Sequence, residues 1–275
     1  MFTTRFAPSP TGYLHRGHAY SALTAHAAAM AARGRFFLRI EDIDVTRCRP
    51  EFEAAIHEDL AWLGLAWETP VRRQSDHLAE YEAALARLEA QGLVYRCFRT
   101  RREVAQAMAS APHGPMEVYR GAPLPPAEEA ARIAAGEPFA WRLSLDAAAK
   151  VLGGFGDLTF HEAGKGVIAA RPELGGDVVL ARKDVGVAYH LAVVVDDASQ
   201  GVTQVIRGED LFDATHVQRL LQALLGLSVP TYHHHALLLG PDGRRYAKRD
   251  RAETLRALRD QGVRPADLRR ELGFE

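Results

Sequence analysis

The chain has little cysteine. Its 275 residues hold only Cys48 and Cys97, too few for a disulfide framework, so two unlinked thiols are expected. No stretch of about 18 apolar residues occurs that could span a membrane. The alanine-rich segment 22–32 is too short, and His26 interrupts it. The N-terminus, MFTTRFAPSP, lacks the apolar run and small-residue cleavage site of a signal peptide. These absences point to a cytoplasmic protein. There is no excess of positive charge either. Lys and Arg number 34 against 35 Asp and Glu, for a net charge of −1. A global basic footprint for nucleic acid is therefore missing. Binding to RNA would need the basic residues gathered on one face, which the Arg-rich stretches 96–102 and 244–251 permit. No internal repeat or low-complexity tail is present.

What remains is ordinary for a globular protein: 47% hydrophobic and 25% charged residues, enough for one large domain or two modest ones. The first third alternates strand and helix. Residues 2–7 read as a strand ended by Pro8 and Pro10, and 17–33 as a helix closed by Gly34. The apolar run 35–41, RFFLRIE, reads as a buried strand. Glu51 to Leu63 reads as a helix started by Pro50, and Asp76 to Gln91 as another, with Ser75 as N-cap and Gly92 as its stop. This order argues for a parallel sheet. Residues 110–140 are rich in Pro, Gly and Ala with weak periodicity, so an inserted subdomain is expected. Beyond it, 187–195 (VAYHLAVVV) and 202–206 read as strands and Asp213 to Leu225 as a helix. Pro241-Asp242-Gly243 reads as a turn, and short helices near 252–261 and 265–271 follow.

The most informative segment is Ala7-Pro-Ser-Pro-Thr-Gly-Tyr-Leu-His15-Arg-Gly17-His18, between a strand and a helix. A helix N-terminus offers backbone N–H groups and a positive dipole end to a phosphate. Gly17 lets a ligand approach the backbone. His15 and His18 can face one way and donate to phosphate oxygens. The string is neither a P-loop nor a dinucleotide fingerprint. Taken alone, two histidines near a helix start are more often structural.

HRGH resembles the HxGH signature of class I aminoacyl-tRNA synthetases. RFAPSPTGYLHRGHAYSAL, FFLRIEDID at 36–44 and VIRGEDL at 205–211 resemble the glutamyl branch of that family, in the same order. The resemblance covers nearly the whole chain and is weakest at 100–175. It implies an α/β fold: a Rossmann-like parallel sheet split by an inserted α+β subdomain, with a short helical tail. The implied divisions are 1–97 and 181–249 for the two halves of the nucleotide-binding domain, 98–180 for an acceptor-binding-like insertion, and 250–275 for the tail. The family's second signature, KMSKS, is degenerate here. Arg245-Tyr-Ala-Lys248-Arg249 keeps the fourth-position lysine, replaces a lysine by Arg245 and loses a serine hydroxyl at Ala247.

The resemblance implies ATP as a substrate with Mg²⁺, bound by His15, Gly17, His18, Arg245 and Lys248, with His15, His18 and Lys248 catalytic. It also implies a glutamate pocket. Arg5 and Tyr189 would hold the side-chain carboxylate, Arg207 the α-carboxylate, and Ser9 and Glu41 the amino group, with Ala7 alongside. Without the motifs, Glu41 and Asp42 would pass for an ion pair at a strand end, and Arg207 for a surface arginine. Zinc-binding relatives use a C-x-C pair, a tyrosine and a further cysteine in the insertion. Here Arg99 and Pro123 stand where two of those ligands would be, leaving Cys97 and Tyr119, so no structural zinc is expected. His233-His234-His235 read as core and strand residues, because adjacent strand residues alternate faces and cannot all meet one ion. Asp196 and Asp197 read as a polar turn, with a ribose or glutamate contact as the alternative.

About 25 residues follow Arg249, fewer than the anticodon-binding domain of full-length relatives requires. The string 193–226 also looks more like that of the short members of the branch, the glutamyl-queuosine tRNA(Asp) synthetases. The implied partners are L-glutamate, ATP and tRNA(Asp) carrying queuosine. A truncated enzyme charging the tRNA 3′ end and a non-catalytic paralogue stay open.

Overall fold

The structure, a computed structural model, describes residues 1–109, 118–182, 186–238 and 253–274. The first unit runs β1 (Thr3–Phe6), α1 (Arg16–Ala31), β2 (Arg35–Ile40), α2 (Pro50–Trp62) and β3 (Glu68–Arg73). Its strands are parallel in the order β1-β2-β3. Five of the six β2 residues are buried, as expected of a parallel strand covered on both faces. Pro50 starts α2, where its missing N–H costs nothing.

A 3-10 turn (Gln74–His77), α3 (Leu78–Ala90) and β4 (Val94–Cys97) follow, then α4 (Arg101–Ala109), α5 (Pro126–Ala134), β5 (Ala140–Leu143) and α6 (Leu145–Leu152). Next come β6 (Thr159–Glu162), β7 (Gly166–Ala169), β8 (Val179–Arg182) and β9 (Gly186–Val187). The chain continues through α7 (Tyr189–Ser199), β10 (Gln204–Gly208), α8 (Phe212–Leu225) and β11 (Thr231–His235), and the last described elements are α9 (Leu255–Asp260) and α10 (Pro265–Glu271). One antiparallel sheet has the order β4-β5-β8-β9. Another has the order β10-β11-β6-β7, in which β10, β11 and β6 are parallel. The Thr203 N–H donates to the Thr3 C=O at 2.9 Å, and the Thr3 N–H donates to the Thr203 hydroxyl at 2.9 Å. These bonds tie β1 to the chain entering β10. The carboxyl ends of the two strands thus share one seam, the usual place for a ligand in an open α/β sheet.

One core packs α1, α2, α9 and α10 against the first sheet through Leu23, Leu38, Ile56, Leu60, Leu255 and Leu268. A second packs α3, α7 and α8 against the other sheets through Tyr81, Leu143, Phe160, Leu191, Leu220 and Tyr232. Among the described residues no helix is long and apolar enough to cross a membrane.

Three expectations need correcting. Residues 187–195 are not a strand, because only Val187 ends β9 and the rest opens α7. A short all-apolar run fits a buried strand and a buried helix equally. Packing decides here: Leu191, Ala192, Val193 and Val194 lie in the second core with α3 and α8. Asp196 and Asp197 therefore sit on the last turns of a buried helix, not in a polar turn. Ser75 does not cap α3, which starts after His77 without a side-chain cap. Its N–H and hydroxyl instead donate to Asp42, at 2.9 and 2.6 Å. The turn at 241–243 lies outside the described residues.

Candidate active site

His15 is the N-cap of α1. Its Nδ1 accepts the Gly17 N–H at 3.1 Å, and the His15 N–H donates to His18 Nδ1 at 3.2 Å. With both Nδ1 atoms accepting, each neutral ring carries its proton on Nε2. The rings lie 3.8 Å apart, and the first turn has no acidic residue. Two ring donors and a dipole end thus meet at one helix terminus, an arrangement suited to phosphate. A Cβ at Gly17 would lie 3.0 Å from His15 Cε1. The glycine therefore makes room for the His15 ring as well as for a ligand.

This terminus opens on a cavity of about 680 Å³. Arg5, Ala7, Ser9, His15, Gly17, His18, Glu41, Tyr189 and Arg207 all line it. Every site residue expected from sequence that falls among the described residues is thus brought to one place. Arg245 and Lys248 lie outside the described residues.

The charges around the cavity form a buried network. Arg5 Nε and Nη2 donate to the two oxygens of Asp197, at 2.9 and 3.3 Å. Arg39 donates to Asp197 at 2.7 Å, Glu41 at 3.1 Å and Gln200 at 2.9 Å. Asp196 accepts from Arg72, Gln74 and Tyr81. Burial alone would raise the Asp197 carboxyl, but Arg5 and Arg39 outweigh it and hold it at about 2. Burial pushes the Glu41 carboxyl up, against the pull of Arg39 and Arg5. Sequence reasoning missed Arg39, Asp196 and Asp197 as parts of this frame. The only local signal was an acidic pair closing an apolar run.

Arg207 is held differently. Its Nε donates to His234 Nε2 at 3.0 Å and its Nη1 to the Tyr189 hydroxyl at 3.3 Å. Its Nη2 donates to the Leu211 carbonyl, the Thr215 hydroxyl and Gln218 Oε1, at 3.2, 2.8 and 2.9 Å. The cavity thus offers guanidinium groups on one wall, a carboxylate at Glu41, and a phosphate-type helix end.

Residues 1–273 match the family model of class I tRNA synthetases (E and Q), catalytic domain. The chain belongs to this family. It is 50% identical to a Rhodobacter capsulatus protein named Glutamyl-Q tRNA(Asp) synthetase, over 98% of this chain and 99% of that one. It is 45% identical to a Nocardia farcinica protein of the same name, over 96% of this chain and 81% of that one. Among solved structures it resembles a glutamate tRNA ligase from Elizabethkingia meningosepticum in complex with its amino acid. That match has a TM-score of 0.76 and 28% identity, and it covers 90% of this chain and 52% of that one. The chain therefore spans about half the length of that ligase, and the parallel-sheet architecture is the Rossmann-like fold of class I synthetases.

In this synthetase domain the corner around Cys97 and Tyr119, where the resemblance would put zinc ligands, holds a different set of groups. Cys97 Sγ lies 3.8 Å from the Tyr119 hydroxyl, and the Arg142 guanidinium lies 4.5 Å above the Tyr119 ring. The nearby Arg99 charge acts on Tyr119 as well. Two donors beside two cations do not fit a closed zinc site, which takes four Cys or His ligands. Asp177 organises this corner by accepting from the Tyr95 hydroxyl and from the Gly121 and Leu145 N–H groups.

Two histidines beside Arg207, the half-buried His190 and His234 with its fully buried side chain, are expected to make the synthetase domain acid-sensitive. Burial and then Arg207 lower His190 from 6.5 to about 4, and the same causes in the same order lower His234 to about 4. A folded-state pKa below the unfolded value means that stability is full above pH 6.5 and drains as the pH falls toward 4. Asp197 adds its own loss only below its unfolded value of 3.8. The thermal midpoint is expected to fall between pH 6.5 and 4, and His190→Phe should make that fall shallower. Parallel curves for the two proteins in a pH series of melts would remove His190 from the account.

Proposed function

We propose that the protein activates L-glutamate with ATP and transfers the glutamyl group to the queuosine base of tRNA(Asp). One observation carries the activation step. A single cavity joins Arg5, Arg207 and Glu41, which suit the carboxylates and ammonium of glutamate, to the His15 and His18 helix terminus, which suits a triphosphate. The glutamate α-carboxylate attacks the α-phosphorus and pyrophosphate leaves, so the protein's task is position and charge, with no nucleophile of its own. Among the described residues no cluster of three or more His, Cys, Asp or Glu side chains could hold a metal ion. Mg²⁺ would accompany ATP, offsetting the charge of its phosphates. Lys248 and Arg245 would add positive charge over the departing pyrophosphate. A hydroxyl of the queuosine cyclopentenediol then attacks the acyl carbon and AMP leaves.

The names carried by the near full-length relatives support this acceptor over the tRNA 3′ end. In the same reading the halves 1–97 and 181–249 hold ATP and glutamate, the insertion 98–180 faces the RNA, and the setting is cytoplasmic. Labelled glutamate, ATP and total tRNA decide the matter once the labelled nucleotide is mapped. Label should enter the anticodon loop of queuosine-bearing tRNA(Asp) and spare the unmodified transcript. Label on a 3′-terminal adenosine instead means a truncated-type synthetase. Absence of glutamate-dependent ATP–pyrophosphate exchange means a non-catalytic paralogue.

A further inference from the structure

The middle one of the three consecutive histidines of β11, His234, gains a role from its neighbours. The side chain of His234 is fully buried, and that of Glu162 on β6 is almost so, at 0% and 1% exposure. The Arg207 Nε–H donates to His234 Nε2, so that nitrogen carries no proton. The proton must then sit on Nδ1, which donates to Glu162 Oε2 at 2.8 Å. The other oxygen of Glu162 accepts the backbone N–H of His234, also at 2.8 Å. Glu162 thus uses both oxygens on one residue and fixes its tautomer.

The charges differ sharply between the two cavity arginines. Arg5 is already paired with Asp197. Arg207 makes its five described hydrogen bonds to neutral groups: an imidazole, two hydroxyls, an amide and a backbone carbonyl. Its nearest negative charge in this chain of bonds is Glu162, on the far side of His234. A direct carboxylate partner would satisfy Arg207 before any ligand arrived. An imidazole between them keeps the buried chain neutral as a whole and holds the guanidinium in place, while leaving its charge to be met from the cavity.

We propose that Glu162 and His234 are positioning residues that orient Arg207 and reserve its charge for a carboxylate of the amino-acid substrate. This rests on the reading of the cavity as a glutamate site. A glutamine at 162 cannot accept from both donors of His234, because one of its two positions is an NH₂. To meet that NH₂ the ring would have to accept on Nδ1 and so carry its proton on Nε2, where it opposes the Arg207 Nε–H. The same tautomer logic governs imidazoles held by a carboxylate in other sites.

The test is glutamate-dependent ATP–pyrophosphate exchange on the intact chain, with thermal melts of each variant. Glu162→Gln and His234→Leu should raise the glutamate KM by about tenfold or more, with the ATP KM within about twofold and kcat little changed. His234→Gln keeps an acceptor for Arg207 and should lie within about threefold of the wild type. A folded His234→Leu with wild-type glutamate KM overturns the proposal, and so does a parallel rise in both KM values, the mark of a merely structural role. Should Glu162→Gln fail to fold, the two His234 variants decide alone. A wild-type chain with no glutamate-dependent exchange sinks the glutamate reading itself, and the proposal with it.

Discussion

Replacing Arg39 by methionine is expected to destabilise the protein by about 3–5 kcal/mol, the range for breaking a buried ion pair from one side. The Arg39 side chain is 0% exposed and lies within 4 Å of Asp197, Glu41 and Asp196. Burial alone would lower its pKa, but those three carboxylates raise it above its ordinary value, so it stays charged. Methionine roughly keeps the volume and removes the charge. Asp197 keeps Arg5 and Asp196 keeps Arg72, but Glu41 loses its hydrogen-bonded cation. Its carboxyl, already pushed up by burial, would rise further, and a neutral Glu41 cannot pair with an ammonium group. Two readouts should therefore move together: the urea midpoint falls and the glutamate KM rises. Arg39→Lys should recover part of the stability, since a point charge remains without the planar fork. A loss below about 1 kcal/mol for Arg39→Met would place the pair in the class of weak surface bridges and refute this account.

Arg39 also shows what the sequence could reveal and what it could not. The opening β-α-β-α order was legible because each element carries local signals: an apolar run at 36–40, Pro50 at a helix start, Gly92 at φ 69° after a helix. The cavity residues were legible because they cluster in a few short strings, RFAPS, HRGH, RIED and VIRGED. The frame beneath them was not. Arg5 meets Asp197 across 192 positions and Arg39 meets it across 158. No periodicity reports a pairing over that distance. The same limit explains α7, whose valines favour a strand locally until α3 and α8 enclose them as a helix. In the insertion, α5 does carry apolar residues at helical spacing, Ala127, Ala130, Ala131 and Ala134, but they are small alanines next to prolines and none of its nine residues is buried, so no stripe of large apolar side chains singles the helix out.

Arg207→Ala is expected to lower kcat/KM for glutamate by a larger factor than any other single change at the cavity wall. Under the proposed activity Arg207 meets a substrate carboxylate through a charge-assisted hydrogen bond, worth about 1.5–3 kcal/mol. The other donors of Arg207 are engaged within the chain, which leaves one Nη1 N–H for the substrate, and one such bond corresponds to a loss of roughly tenfold to a hundredfold. The fold should survive, because the direct partners left behind at His234, Thr215, Gln218, Tyr189 and Leu211 are neutral, water can enter from the cavity to serve them, and His234, freed from the pull of Arg207, can take up a proton to balance Glu162. Arg5→Ala should behave otherwise. It removes one of the two cations that hold Asp197 ionised, so the thermal midpoint should drop along with activity. The contrast is the useful result: a large kinetic loss at an unchanged midpoint for Arg207→Ala, against losses in both for Arg5→Ala. Arg207→Lys should fall between wild type and alanine, since it keeps the charge but cannot also reach His234, Tyr189 and Gln218 with a planar fork. Pyrophosphate exchange at saturating ATP with varied glutamate measures all three. An Arg207→Ala protein whose glutamate KM and kcat stay within about threefold of the wild type would show that this arginine does not meet the substrate.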